Sequence, residues 1–298
     1  MRRERFLTSG IAFALAAASA PVRPAPDPAG ALSRLEEATG GRLGVFAVDT
    51  SSGAAISYRA NERFAMCSTF KLLAVAAVLA RVDRSDEQLD RHLAYTRADI
   101  SAYAPVAVEH LKDGFMTVRT CCEAAIEWSD NTAANLLLST IGGPSGVTSY
   151  ARAIGDPVTR LDRNEPALNS AVPGDPRDTT SPRAMTANMR TLILGSVLSA
   201  ASREMLKQWL LHSKTGATCL RAGLPASWIV GDKTGTGGAN NAKGDSNTRN
   251  DVAIVWPPQR SPLVIAAYLT GSTLAAAQRD AAIAQAGSIV AGHFHGTR

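Results

Sequence analysis

The pattern of apolar and polar positions opens with helical periodicity at residues 31–39, followed by two runs of strand character, 43–49 and 54–59, around a Ser51-Ser52-Gly53 turn. A helix followed by a β-hairpin is predicted there. The run FKLLAVAAVLARV at 70–82 predicts a long helix, and from there to Leu211 only helical patterns appear, broken by Gly and Pro clusters. Residues 227–232, 251–256 and 263–270 then read as strands, and 274–290 as a closing helix. This order predicts an α/β layer built from both ends of the chain, residues 31–59 and 211–298, with an all-helical insertion at 60–210. The cleft between the two parts is the expected place for a site.

The first residues depart from globular sequence. Arg2, Arg3 and Arg5 precede an apolar run at 11–18, and Ala18-Ser19-Ala20 has the small-x-small form of a signal-peptidase site. A signal peptide over 1–20 is predicted, then an unstructured Pro-rich leader over 21–30. Arg2-Arg3 with Phe6-Leu7 leaves both the general and the twin-arginine export routes open. No later segment approaches the roughly 20 apolar residues of a membrane span. The mature protein is therefore expected in the periplasm or secreted, with no membrane association after signal removal.

Composition changes this picture little. An apolar share of 45% with 19% charged residues fits a soluble chain with a substantial core. The net charge of +5 raises the question of an anionic partner, but Lys and Arg are scattered, so nucleic-acid binding has no support. A substrate carrying a carboxylate is compatible with that charge. Cys121 and Cys122 are adjacent on one predicted helix, a poor geometry for a mutual bridge, while Cys67 and Cys219 are distant in sequence. All four are expected as buried free thiols. No cysteine pair has metal-ligand spacing and His293-x-His295 reads as solvated terminus, so neither metal nor cofactor is expected.

Three short patterns carry chemistry. In Ser68-Thr69-Phe70-Lys71 the lysine falls one turn after the serine, within reach of a hydroxyl that needs a neighbouring base to become a nucleophile. Alone, the pattern is weak and reads first as a serine helix cap with a solvated lysine. Ser129-Asp130-Asn131 lies where a helical stretch ending at Trp128 meets another, and offers a hydroxyl for proton relay and an amide for a substrate carbonyl, or simply a cap. Lys233-Thr234-Gly235, directly after the strand WIVGD and before Thr236 and Gly237, pairs a cation for a carboxylate with glycines that permit close approach.

Together and in this order, the three resemble the signature of class A β-lactamases and penicillin-binding proteins. Glu165-Pro166-Ala167-Leu168-Asn169, between the second and third, resembles the ExxLN segment on the omega loop of the class A family, here about 160–178. The resemblance spans essentially the whole mature chain. It implies a β-lactamase/transpeptidase-like fold: an antiparallel five-stranded sheet flanked by helices, plus an all-helical domain, with the active site in the cleft between them.

The resemblance also implies a function, hydrolysis of the β-lactam ring of penicillins and cephalosporins through a serine acyl-enzyme, giving antibiotic resistance. Ser68 would be the nucleophile, with Lys71, Ser129 and Glu165 as its catalytic partners. Tyr103, Asn131, Asn169, Lys233, Thr234, Gly235 and Thr236 would bind substrate, with Arg249 and Arg279 both candidates for a supporting charge on its carboxylate. Arg163 with Asp178 would close the omega loop, and Arg160 with Asp162 would form a second local pair. Backbone N–H groups of Ser68 and Thr236 would form the oxyanion hole, each worth about 3 kcal/mol. Either Lys71 or Glu165 could be the acylation base.

Related readings are separable. A penicillin-recognising peptidase shares the first three patterns but lacks the glutamate, a β-lactam receptor domain needs a membrane anchor for signalling that is not expected here, and a Ser-His-Asp hydrolase is disfavoured because no His has a nucleophile-elbow context and Ser68 is not within GxSxG. A monomer acting on small β-lactams is expected. The substrate range stays open, although one carbapenem-hydrolysing subgroup bridges the cysteine before the nucleophile to a position that is Gly237 here, so that bridge cannot form.

Overall fold

The computed structural model describes residues 27–240 and 246–296. Its centre is a five-stranded antiparallel sheet made of β1 (Arg42–Asp49), β2 (Ala55–Tyr58), β3 (Ile229–Asn240), β4 (Ser246–Trp256) and β5 (Leu263–Thr270), in the order β2-β1-β5-β4-β3. The central strand β5 reads LVIAAYLT and is buried from Leu263 to Leu269, as a strand covered on both faces should be. Alternate residues serve two different cores. Ala253, Val255, Ile265 and Ala267 pack under α1 (Pro28–Thr39) and the closing helix. Val252, Ile254, Val264, Ala266 and Tyr268 face the helical insertion.

Within that insertion α2 (Lys71–Asp83) is buried without a break from Lys71 to Ala80. A helix that is apolar on all sides belongs inside. Leu72, Leu73 and Leu79 are fully buried, so truncating any one to Ala costs about 2–5 kcal/mol. Further along the insertion lies α3 (Asn131–Thr140), capped by Asp130, which accepts from the Ala133 N–H at 2.8 Å. The closing helix α4 (Ala276–Gly296) completes the outer layer.

Several expectations change. The signal peptide over 1–20, and the leader up to residue 26, lie outside the described residues. The leader's last residues are not irregular: Pro28 begins α1 behind the cap Asp27. The insertion is not wholly helical, since Phe64–Ala65 pairs with Thr179–Thr180 and His92–Ala94 with Phe115–Thr117. Pairs of two or three residues are too short to leave an alternating signature. Strands β3 and β4 run well past 227–232 and 251–256, because KTGTGG reads as loop by composition yet pairs along its length with β4. Lys233-Thr234-Gly235 is therefore inside the strand. His293 and His295 belong to the last turn of α4, where the His295 ring stacks 5.9 Å from Trp228. No described helix is long and apolar enough to cross a membrane.

Candidate active site

Ser68 lies in the single 3₁₀ turn Cys67–Phe70 that leads into α2, and the turn is tied down from the sheet. From β4, Asn250 Nδ2 donates to the Ala65 and Met66 carbonyls at 2.9 and 3.1 Å. The Thr69 hydroxyl donates to the Met66 carbonyl at 2.8 Å and lies 3.1 Å from the Tyr268 hydroxyl of β5. Cys67 enters the turn with φ 46, and its thiol is pushed up from its ordinary pKa by complete burial.

One turn on, Lys71 Nζ reaches Asn131 Oδ1 at 2.6 Å, the Ser129 carbonyl at 2.8 Å, Ser68 Oγ at 3.0 Å and Glu165 Oε1 at 3.1 Å. Ser129 Oγ is at 3.4 Å. Five oxygens share three protons on a side chain with no exposure. Burial lowers its pKa from the lysine value of 10.5, with Glu165 pulling the other way. Lys233 Nζ, equally buried, donates to Ser129 Oγ at 3.0 Å and to the Thr234 carbonyl at 2.9 Å. Burial drives its pKa well below 10.5, and the Lys71 charge acts in the same direction. Ser129, held at φ 60, thus places its hydroxyl between two ammonium groups that release protons more readily than free lysines.

Glu165 stands on the omega loop, joined by a cis peptide bond to Pro166. Its backbone is clamped by Asn135 of α3, whose side chain accepts from the Glu165 N–H and donates to its carbonyl, each at 3.0 Å. Its carboxylate accepts from Asn169 Nδ2, and Oε1 lies 3.4 Å from Ser68 Oγ. Asn169 Oδ1 is buried and makes no protein hydrogen bond. The base of the loop is closed by Arg163 Nε, 2.6 Å from Asp178 Oδ2, while Asp178 Oδ1 accepts the Asp162 and Arg163 N–H groups at 2.7 and 3.0 Å. Arg160 pairs with Asp162 on the rim.

The third wall is β3, an edge strand of the sheet. A Cβ at Gly235 would lie 2.7 Å from the Met66 carbonyl, and one at Gly237 would lie 2.7 Å from both the Asn169 carbonyl and Cys67 Sγ. Glycine is required because the strand presses against the Ser68 turn and the omega loop. On the opposite strand, Arg249 Nη1 donates to Thr236 Oγ1 at 2.7 Å, Nη2 donates to the Thr215 carbonyl at 3.2 Å, and Nε lies 2.7 Å from Asp280. Thr215 Oγ1 is 2.6 Å from Thr234 Oγ1.

Ser68, Lys71, Ser129, Asn131, Glu165, Asn169 and Lys233 therefore meet in one hydrogen-bonded cluster, with Thr234, Gly235 and Thr236 along its edge. Tyr103 is half exposed, and its carbonyl accepts from the Asn131 N–H at 3.0 Å. Arg279 is 3% exposed and donates to the Leu274 carbonyl at 2.8 Å. Arg249 contacts Thr236, a strand residue of the site. All four cysteines are buried and free. Asn135, Asn250, Thr215 and Thr69 escaped the sequence reading. Asn135 left a signal, four residues after Asn131 on the same face of α3.

The family model described as "Beta-lactamase enzyme family" matches residues 27–294. Among curated proteins, the chain is 47% identical over 259 residues to Beta-lactamase CTX-M-8 of Citrobacter amalonaticus, covering 87% of this chain and 86% of that one. It is 45% identical over 263 residues to Beta-lactamase Toho-1 of Escherichia coli, covering 88% of each. Among solved structures, it is similar to a class A β-lactamase described as the last common ancestor of Gram-negative bacteria, with TM-score 0.85 and 56% identity over 90% of this chain and 99% of that one. A putative class A β-lactamase from Rhodopseudomonas palustris gives TM-score 0.84 and 54% identity over 89% and 98%.

Proposed function

The chain belongs to the β-lactamase enzyme family, as a class A serine member, and from that premise we propose which of its residues carry each step. Its activity is hydrolysis of the β-lactam ring of penicillins and cephalosporins, which gives antibiotic resistance. The cleft lies between a sheet-bearing part, residues 31–59 and 211–298, and a largely helical part, residues 60–210. Lys233, Thr234 and Thr236 bind the substrate carboxylate, and Arg249 adds charge through Thr236. Tyr103 borders the entrance, and Asn131 holds the side-chain amide of the substrate while Gly235 lets the ring approach.

In acylation the Ser68 hydroxyl loses its proton and attacks the lactam carbonyl carbon, whose oxygen becomes an anion between the N–H groups of Ser68 and Thr236. Both candidate bases touch that hydroxyl, Lys71 at 3.0 Å and Glu165 at 3.4 Å. Either route leaves the proton within the same buried pair. As the tetrahedral intermediate collapses, the C–N bond breaks and Ser129 protonates the departing nitrogen, recovering its own proton from Lys71 or Lys233. In deacylation Glu165 takes a proton from a water that attacks the ester carbonyl. Asn169 orients that water through its unpartnered buried Oδ1. Ser68 leaves with a proton returned through the same cluster.

The observation that carries the hydrolytic reading is Glu165, locked by Asn135 and Asn169 with Oε1 beside Ser68 Oγ. A penicillin-recognising peptidase has no such carboxylate to release its acyl group. Purified protein is expected to turn over a chromogenic cephalosporin many times, with Ser68→Ala reducing hydrolysis to background. A single burst without further turnover contradicts the reading. The exported character of the N-terminal segment and a monomeric state complete the proposal, and intact mass of the secreted protein with its sedimentation tests both.

A further inference from the structure

Apart from the catalytic cleft, a cavity of about 580 Å³ opens between omega-loop residues 171–177 and the sheet, where β1 begins and β5 ends. Its charged lining is unbalanced: Arg42, Arg63, Arg163 and Arg177 face one carboxylate, Asp175. Three of the guanidiniums are already paired, Arg42 with Glu62 at 2.9 Å, Arg163 with Asp178 at 2.6 Å and Arg177 with Asp175 at 2.7 Å. Arg63 differs. Among the described residues it makes no ion pair, and only its Nη1 is engaged, by the Val158 carbonyl and the Thr179 hydroxyl at 2.9 and 3.0 Å. Its Nε and Nη2 are donors without an acceptor among the described residues. The adjoining wall is bare at Gly271, where a Cβ would meet nothing within 4 Å.

We propose that this cavity is a second binding site, for a small di- or tricarboxylate, and that its occupant slows deacylation. A guanidinium fork matches a carboxylate with two parallel hydrogen bonds, and the spare Arg63 donors offer such a fork. A ligand with two or three carboxylates spans the cavity, from Arg42 and Arg63 on the body of the protein to Arg163 and Arg177 on the loop. Arg163 makes the connection to chemistry. Its Nε holds Asp178 and its Nη2 holds Ser170 Oγ at 2.9 Å, one residue after the Asn169 that binds Glu165. An anion that draws this guanidinium away from Asp178 and Ser170 shifts the segment that aims Glu165. The effect on rate rests on the reading of Glu165 as the deacylation base; the binding does not.

Titration calorimetry of the intact protein with citrate at constant ionic strength tests the binding. Saturable one-to-one binding is expected, weakened about tenfold or more in Arg63→Gln, which removes the charged fork. Val172→Trp is expected to weaken it as well, by filling the cavity without removing a charge; Val172 is a half-exposed lining residue outside the catalytic cluster. In steady state, saturating citrate lowers kcat about fivefold without raising KM. Absence of saturable binding, binding that survives Val172→Trp unchanged, or a purely competitive pattern that places citrate on Lys233 overturns the inference. Hydrolysis measured without citrate reports separately on the function.

Discussion

The ammonium of Lys71 lies 3.1 Å from the carboxylate of Glu165, and neither side chain is exposed to solvent. An isolated buried pair of this kind gains little, because desolvation offsets the attraction. Here each partner has further support: Asn131 and Ser129 for the lysine, Asn169 for the carboxylate, and Asn135 for the backbone behind it. With Ser68 Oγ beside both, the pair can accept and return a single proton without moving either element that carries it. Activity should therefore depend on how rigidly the surrounding walls hold these atoms.

Gly235→Ala tests the strand wall. Its Cβ would meet the Met66 carbonyl at 2.7 Å, a backbone atom that cannot swing aside, so β3 and the Ser68 turn must separate. A displacement of a few tenths of an ångström to one ångström at a reacting centre lowers kcat/KM by up to about a hundredfold. The stability loss from overpacking is expected to be about 1–3 kcal/mol. Steady-state kinetics and thermal melting measure the two effects, and unchanged kinetics would show that the close approach has no catalytic role.

Arg163→Ser tests the loop closure. It leaves Asp178 buried with only two backbone N–H donors, at a cost of about 2 kcal/mol after allowing for the partial exposure of the arginine. Since the loop carries Glu165, deacylation should fall more than acylation. Pre-steady-state kinetics would then show acyl-enzyme accumulating where the parent protein shows none. An equal fall in both steps would contradict the assignment.

The buried lysines fix the pH dependence. Burial pulls both pKa values below 10.5. Between the depressed value and 10.5 the unfolded chain binds more protons than the folded one, so this contribution to stability rises with pH across that window. The Lys233 charge, proposed above to hold the substrate carboxylate, is lost over the same window. The alkaline limb of kcat/KM should therefore lie below pH 10.5 and arise mainly from KM. Lys233→Arg, which stays protonated, should move the limb upward; an unmoved limb assigns it to another group.

Much of this arrangement was legible in the sequence where a physical signal is local and strong. The unbroken apolar run of α2 and the apolar run of β5 gave the central helix and central strand, and the spacing from Ser68 to Lys71 put both groups on one turn. Weaker signals failed for identifiable reasons. Lys233-Thr234-Gly235 looks like a loop because glycine and threonine carry no apolar alternation, yet its backbone pairs with β4 through Gly237. The two-residue pairing of Phe64–Ala65 with Thr179–Thr180 joins segments far apart in the chain and depends on tertiary contact alone. Asn250 and Thr215 act through backbone carbonyls and a neighbouring hydroxyl, contacts that no residue spacing announces. Arg249 and Arg279 were indistinguishable as charges. In the structure Arg249 stands on a strand beside Thr236, while Arg279 is a buried side chain on the outer helix α4.

Release of the Ser68 acyl group by Glu165 is tested by the intact mass of Glu165→Gln after incubation with a penicillin, followed by peptide mapping. A persistent adduct of one substrate mass is expected on the peptide containing Ser68, while the unmutated protein hydrolyses the same penicillin repeatedly and returns to its free mass. Continued turnover without an adduct in Glu165→Gln, or a persistent adduct in the unmutated protein, would contradict that role of Glu165.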